Sequence, residues 1–345
     1  MRKIKAKIHL GSIVRNARAF SAHTGVKLCA VVKANAYGHG AIEVVGALEA
    51  VADCFAVALL SEALEIKLTA CGKDILILTP PLSEEEAYLA SVHGFVWTVA
   101  DTESAKYAVG LSARGLPVRI HLKVNTGMNR YGVEASAVEK TCRFLSQNGV
   151  RVEGIYSHLY AGEEIAWEQK RAFDKAVAIA SGYFSRLTRH LSATLGATLS
   201  RAFAYDMVRV GIGLYGYLPS GAKQGLALEK AMTVYAPVSA SRAFETGGAG
   251  YGKNLLHPPK EGKLFTLRLG YADGFLRKKE NGTIGFENCL HGLCMDACVR
   301  EGTGIRGEEI PVLTDALATA NATGTIPYEV LCAATRRAET EYDYE

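Results

Sequence analysis

Lys33 stands where an apolar run, residues 28–32, gives way to a polar, glycine-containing turn in the string VVKANAYGHG (residues 31–40). A half-buried ammonium loses affinity for its proton, and the amine that results is a nucleophile. The chemistry this suggests is condensation with an aldehyde, a Schiff-base lysine of the kind that holds pyridoxal phosphate. An ordinary surface lysine would also sit at a strand end, so the reading depends on what else the chain brings to the same place.

Several later apolar runs also end on polar residues. Lys123, Asn125 and Arg130 lie in HLKVNTGMNRYG (121–132), His158 closes GIYSH (154–158), Thr194 closes HLSAT (190–194), and Arg209, Gly211 and Ile212 lie in MVRVGIGLYGY (207–217). A cofactor phosphate needs backbone N–H groups and hydroxyls, which the 209–212 turn, Thr194, Tyr37 and Tyr328 would supply. Arginine is protonated at every accessible pH. Facing a pyridine nitrogen, Arg209 would keep that nitrogen unprotonated and limit the ring as an electron sink, which suits an enzyme that only moves a proton. His158 would hold Arg209 in place. Two further strings lie late in the chain: GAGYG (248–252), which sets Tyr251 in a glycine turn, and Cys294-Met295-Asp296. A phenol of ordinary pKa, about 10, is a poor base unless a neighbouring cation lowers it.

Elements of a definite order are needed to bring these residues together. Apolar runs at 28–33, 53–58, 74–79, 95–99, 118–124, 152–157, 190–194 and 206–211 read as strands. Helical patterns lie between them at 41–50, 61–70, 83–92, 102–113, 134–147 and 164–188, with Ser61, Ser83 and Asp101 as opening caps. Eight strands alternating with helices predict a (β/α)8 barrel, whose active site gathers at the C-terminal strand ends. An open doubly wound sheet would want GxGxxG after the first strand, and none is present. After about residue 225 the texture changes to short β-type runs (232–244, 263–270, 283–287, 309–314, 325–332) between Gly- and Pro-rich turns, which predicts a mostly-β second domain. The expected division is 1–225 for the barrel and 226–345 for the second domain, with a first strand within residues 1–10 able to join the latter.

The 345 residues are 49% hydrophobic and 21% charged with a net charge of +4, which suits a globular enzyme and offers no basic run for nucleic acid. The basic N-terminus is followed by no long apolar core, so it does not read as a signal peptide, and no stretch is long and apolar enough to span a membrane. Eight scattered cysteines fit free thiols in a reducing cytoplasm. Cys289, His291, Cys294 and Cys298 lack the second CxxC knuckle of a zinc site, and no metal is expected there.

The strings VVKANAYGHG, HLKVNTGMNRYGV, GIYSH, MVRVGIGLYGY, GYG (250–252), LGYADGFLR (269–277), CMD (294–296) and TIPYEV (325–330) together resemble the alanine racemase family over essentially the whole chain. The resemblance implies a pyridoxal-phosphate enzyme of barrel-plus-β-domain type, working as a head-to-tail homodimer that supplies D-alanine for peptidoglycan. It implies that Lys33 is both the cofactor lysine and the base on the D-face, and that Tyr251 of the partner subunit is the base on the L-face. Arg130 and the Met295 backbone would hold the substrate carboxylate. Tyr37, Thr194, Gly211, Ile212 and Tyr328 would hold the phosphate. Lys123 matches a lysine often carbamylated in the family, and Tyr271 and Tyr328 would narrow the entrance to a small amino acid. The chain departs from the pattern at Asn125, often Asp, at Ala193-Thr194, often Asn-Ser, and in the segment 297–312.

Three other functions compete. A serine or broad-specificity racemase would share the whole constellation. A decarboxylase of the same fold would be expected to set a carboxylate against the pyridine nitrogen, where Arg209 stands. A non-catalytic pyridoxal-phosphate-binding protein would generally lack the second domain.

Overall fold

The computed structural model describes residues 4–223, 225–244, 262–276 and 293–345. The expected run 283–287, Tyr251, Cys289 and His291 lie outside the described residues. Two compact units divide the chain: one comprises residues 14–34 and 44–228, the other residues up to 13, 35–43 and 229 onward.

The larger unit is a nearly closed parallel barrel. The first strand of the chain, β1 (Lys5–His9), belongs to the other unit, so the barrel begins at β2 (Lys27–Val31). It continues through β3 (Cys54–Val57), β4 (Ile75–Ile77), β5 (Val96–Val99) and β6 (Ile120–Asn125). A two-residue β7 (Val133–Glu134) comes next on the rim, then β8 (Val152–Tyr156), β9 (Thr188–His190) and β10 (Met207–Val210). The order around the sheet is β10-β2-β3-β4-β5-β6-β8-β9, with β7 paired to β6. Between β9 and β10 two backbone bonds complete the circuit, from the Asp206 amide to the Arg189 carbonyl (3.1 Å) and from the Arg209 amide to the Ser192 carbonyl (3.0 Å). Strands β2 to β5 and β8 read as mostly apolar runs because helices cover one face and the barrel interior the other.

Helix starts follow local capping. Ser83 accepts from the Glu86 amide (3.2 Å) and Asp101 from the Ser104 amide (2.8 Å). The expected cap at Ser61 is displaced: helix Leu60–Ile66 is preceded by Leu59, and Glu62 accepts from the amides of Ala58 (2.7 Å) and Leu59 (3.0 Å). The expected strand at 190–194 is also shorter. β9 ends at His190, because the chain then turns to aim the His190 and Leu191 carbonyls at Arg209 and opens the short helix Thr194–Leu199.

The described residues of the smaller unit form a sheet of six strands. Its strands are β1, β11 (Met232–Phe244), β12 (Gly262–Leu267), β13 (Cys298–Glu301), β14 (Glu309–Leu313) and β15 (Glu339–Asp343), in the order β13-β12-β11-β1-β15 with β14 on β11. β1 lies antiparallel to β11 and parallel to β15, so the first and last strands of the chain are neighbours. The expected β-run 325–332 is instead the helix Pro327–Ala334. Gly324 ends the preceding helix in the left-handed conformation (φ +74°), and Pro327 opens the next, where a missing N–H costs nothing.

Candidate active site

The barrel strands deliver a cluster of cations to their C-terminal ends. Arg209, on β10, is 3% exposed and held on several sides. Its Nη1 donates to the His190 Nδ1 (2.8 Å) and the His190 carbonyl (2.9 Å), and its Nη2 donates to the carbonyls of Ser157 (2.7 Å) and Leu191 (3.2 Å). The guanidinium carbon lies 5.1 Å from the Tyr156 ring centroid. His158, the expected support, contributes only a 3.5 Å approach of its Nδ1 to Nη2.

The principal support is therefore His190, which sequence reasoning did not single out. Because Arg209 can only donate, His190 Nδ1 must accept, so His190 carries its proton on Nε2. That N–H donates to Nδ1 of His121 (2.9 Å) on β6. Burial holds both imidazoles neutral: His190 lies well below its ordinary value and His121 is lowered to about 3. The available signal was a histidine in each of two strand segments, His121 between Ile120 and Leu122 and His190 before Leu191.

Lys123, on β6, is 6% exposed, and its Nζ sits 5.3 Å from the ring centroids of both Tyr131 and Tyr156. Burial first, then the charges of Arg209, Arg130 and Lys33, lower its pKa to about 7. His158 is pushed well below its ordinary value by burial and then by Arg209, Arg130, Lys123 and Lys33. The charges that act on both residues are thus all positive, and they converge on the barrel mouth. Arg130, in the loop after β6, is exposed.

Asn125 organises that loop. Its Oδ1 accepts from the amides of Gly127 and Asn129 (3.1 Å each), and its Nδ2 donates to Asn129 Oδ1 (2.8 Å) and Glu134 Oε1 (2.7 Å). An aspartate in its place would lose that donor and face the Glu134 carboxylate. Gly132, at φ +132°, lets the returning loop lie on β6, since a Cβ there would fall 2.5 Å from the Asn125 nitrogen.

On the opposite side of the barrel mouth, Thr194 Oγ1 accepts from the amides of Gly211 and Gly213 at 3.3 Å each, and Ile212 opens a short 3-10 turn. A Cβ on Gly213 would lie 2.5 Å from the Phe20 ring and 2.9 Å from the Thr194 methyl, so backbone and hydroxyl approach closely there. With both amides engaged by its oxygen, the Thr194 hydroxyl keeps its own proton to donate, as a phosphate oxygen requires.

Lys33 begins a left-handed turn. Ala34, Asn35, Ala36 and Tyr37 have φ of +52°, +52°, +52° and +56°, and Gly38 comes next at +83°. The Ala34 amide donates to Glu62 Oε1 (2.6 Å).

In the smaller unit, the Tyr37 and Tyr328 rings lie 6.0 Å apart, and burial raises both phenols above their ordinary value. The Tyr271 amide donates to the Cys294 carbonyl and the Ala272 amide to the Met295 carbonyl, each at 3.0 Å. Tyr271 and Met295 are therefore brought together. Arg337 ties the two loops by pairing with Asp273 (3.4 Å) and Asp296 (2.9 Å), a role the sequence did not reveal.

Known proteins place this arrangement. Residues 8–219 match the alanine racemase N-terminal domain and residues 231–342 the alanine racemase C-terminal domain. The chain is 35% identical over 292 residues to the alanine racemase of Streptococcus pneumoniae (strain Hungary19A-6), covering 82% of this chain and 79% of that protein. The alanine racemase of Clostridium difficile 630 superposes with a TM-score of 0.89 at 26% identity, covering 100% of this chain and 97% of that one. That of Bartonella henselae, whose crystal structure carries covalently bound pyridoxal phosphate, does so with 0.88 at 25% identity, covering 99% and 100%. The chain belongs to the alanine racemase family and is an amino-acid racemase.

Proposed function

We propose that this chain interconverts L- and D-alanine with pyridoxal phosphate carried on Lys33, as a homodimer in which Tyr251 of the partner subunit completes each site. The observation that carries this reading is the convergence of Lys33, Lys123, Arg130 and Arg209 at the barrel mouth, all acting on the His158 ring. Such a cluster is built for anionic guests, and a phosphorylated cofactor with a carboxylate substrate are two. We assign the phosphate to Thr194, Gly211 and Ile212 with Tyr37 and Tyr328; the Thr194 hydroxyl, whose oxygen accepts from two amides, supports this with a proton to donate.

Pyridoxal phosphate, when bound, supplies a carbonyl carbon for the substrate amine and a ring that draws electrons from the Cα–H bond. Orientation and proton transfer belong to the chain's own residues. Arg130 and the Met295 backbone hold the carboxylate and fix the orientation of Cα. Lys33 Nζ takes or returns the proton on the D-face and the Tyr251 Oη of the partner on the L-face. Two fixed bases need no crossing of the substrate plane. Arg209, pinned by His190 and three carbonyls, can only donate, so it cannot pass a proton onward and no carboxylate is offered to the ring nitrogen. His158 lies at its edge. Tyr271 and Tyr328 narrow the entrance, which favours alanine with serine second; a hydrophobic pocket rejects an added hydroxyl by about a hundredfold. A cytoplasmic supply of D-alanine for peptidoglycan is the role that fits this activity.

The test is borohydride reduction of the holoenzyme and then peptide mapping, with racemisation measured in both directions for alanine, serine, lysine and arginine. The reading expects label at Lys33 and the highest kcat/KM for alanine. Label on another lysine overturns the cofactor assignment. A clear preference for serine makes the chain a serine racemase, and a preference for lysine overturns the small-pocket argument.

A further inference from the structure

The strand that ends at Lys33 is terminated in an unusual way. β2 continues its ladder one step past Val31, the Val32 amide donating to the Ala56 carbonyl (2.9 Å). The next amide on the same edge belongs to Ala34, and β3 offers it no carbonyl. It donates instead to Glu62 Oε1 at 2.6 Å, while Glu62 Oε2 accepts from Ala58 and Leu59 at 2.7 and 3.0 Å. One carboxylate thus takes the place of the missing rung and ties the end of β2 to the end of β3.

Immediately after that rung the chain enters a conformation that L-residues avoid. Four consecutive non-glycine residues, 34–37, are left-handed, and each costs about 1–2 kcal/mol. Such a turn persists only if both ends are held. Its far end is held by Asn35, whose carbonyl accepts from the Gly40 amide (3.0 Å) and whose Oδ1 accepts from the Ala41 amide (2.7 Å). Its near end, one residue from Lys33, is held by Glu62. A hydrogen bond to an ionised acceptor is about twice as strong as a neutral one.

We propose that Glu62 is the positioning residue for Lys33: its carboxylate, through the Ala34 amide, sets where the strand stops and so where the lysine amine points. Glu62 acts on the lysine only through that amide, both of its oxygens being taken by backbone N–H groups. This inference rests on Lys33 being the cofactor lysine, and the experiment separates the two claims.

Glu62→Gln keeps one carbonyl oxygen but turns an NH2 toward one set of backbone donors, so the rung or the helix cap is lost. Glu65→Gly, on the exposed side of the same helix, loosens that helix by about 1 kcal/mol without touching residue 34. A third variant replaces Ala34 by lactic acid, which exchanges the donor N–H for an ester oxygen and leaves the side chain unchanged. For the holoenzymes, kcat and KM, the pH dependence of the cofactor absorbance and the rate of pyridoxal phosphate release are measured. For the apoproteins, hydrogen exchange of the residue 34 amide is measured in wild type, Glu62→Gln and Glu65→Gly.

The inference expects Glu62→Gln and the ester variant each to lower kcat roughly tenfold or more, since small misplacements of a reacting group are costly. Both should shift the absorbance pH profile and speed cofactor release. Glu62→Gln should speed exchange at residue 34, whereas Glu65→Gly should lower only the melting temperature. Unchanged kcat, profile and release in both variants, with wild-type label at Lys33, overturns the role of Glu62 and leaves the proposed function standing. The same losses in Glu65→Gly would reduce Glu62 to a helix cap. Wild-type label elsewhere overturns both claims.

Discussion

A lysine ammonium buried against two aromatic rings, with three other cations acting on it, is poorly placed at neutral pH. With its pKa lowered to about 7, about half of Lys123 is a free amine at that pH, the form that reacts with carbon dioxide. In that reaction an N–C bond forms and the carbamic acid proton leaves to water. The product is an anion in a site whose acting charges are positive. We expect Lys123 to be carbamylated, which labelled bicarbonate should reveal as a carbon-13 signal that Lys123→Met abolishes. The same variant should weaken alanine binding by loosening Arg130. No labelled signal at pH 8 in bicarbonate would leave Lys123 a buried amine.

Among the elements, the turn 34–37 departs furthest from ordinary backbone. Ala34 is exposed, so its side chain contributes little packing to offset its left-handed φ of +52°. A glycine elsewhere usually destabilises by its extra chain entropy, but here it also relieves strain. Ala34→Gly should therefore leave stability unchanged or raise it by about 1 kcal/mol, while Ala34→Val should lower it by more than that. Thermal unfolding of the holoenzyme checks both. A melting temperature lowered by the glycine and unaffected by the valine would show that the turn is not strained.

At the scale of the whole molecule, buried histidines couple stability to pH in acid. Burial lowers His39 to about 4 and His121 to about 3, and holds His190 well below its ordinary value. All are neutral in the folded chain but take up a proton near pH 6.5 once unfolded. Their contribution is complete above about pH 6.5 and is lost as pH falls toward the folded values, each histidine costing about 1 kcal/mol per pH unit within that window. The melting temperature should fall steadily as pH drops below 6.5. His121→Gln combined with His190→Gln should flatten the slope, and an unaltered slope would assign the acid transition to other groups. Subunit sharing is tested at the same scale. Lys33→Ala and Tyr251→Phe proteins, each inactive alone, should recover partial activity when mixed under conditions of subunit exchange. No recovery despite demonstrated exchange would place each site within one chain.

Much of this was legible in the order of residues. A parallel barrel writes most of its strands as apolar runs buried on both faces, so β2 to β6 and β8 could be read directly, whereas the two-residue β7 fell at the start of an expected helix; the polar residues that break those runs marked the barrel mouth at Lys33, Lys123, His158 and Arg209. Short-range rules also placed the caps at Ser83 and Asp101. What the sequence could not disclose depends on neighbours far apart in the chain. His190 was chosen over His158 as the support of Arg209 by the circular closure of β9 onto β10. Glu62 reads as a helix-start carboxylate until the sheet brings the end of β2 beside it. The helix Pro327–Ala334 reads as a strand because its apolar residues have no strong period, and Pro327 and Gly324 settle it only with their φ angles in view. Residue type and local spacing determine which chemistry is available and roughly where each element lies. Which side chains meet is decided by long-range closure, whose energies are absent from any local window.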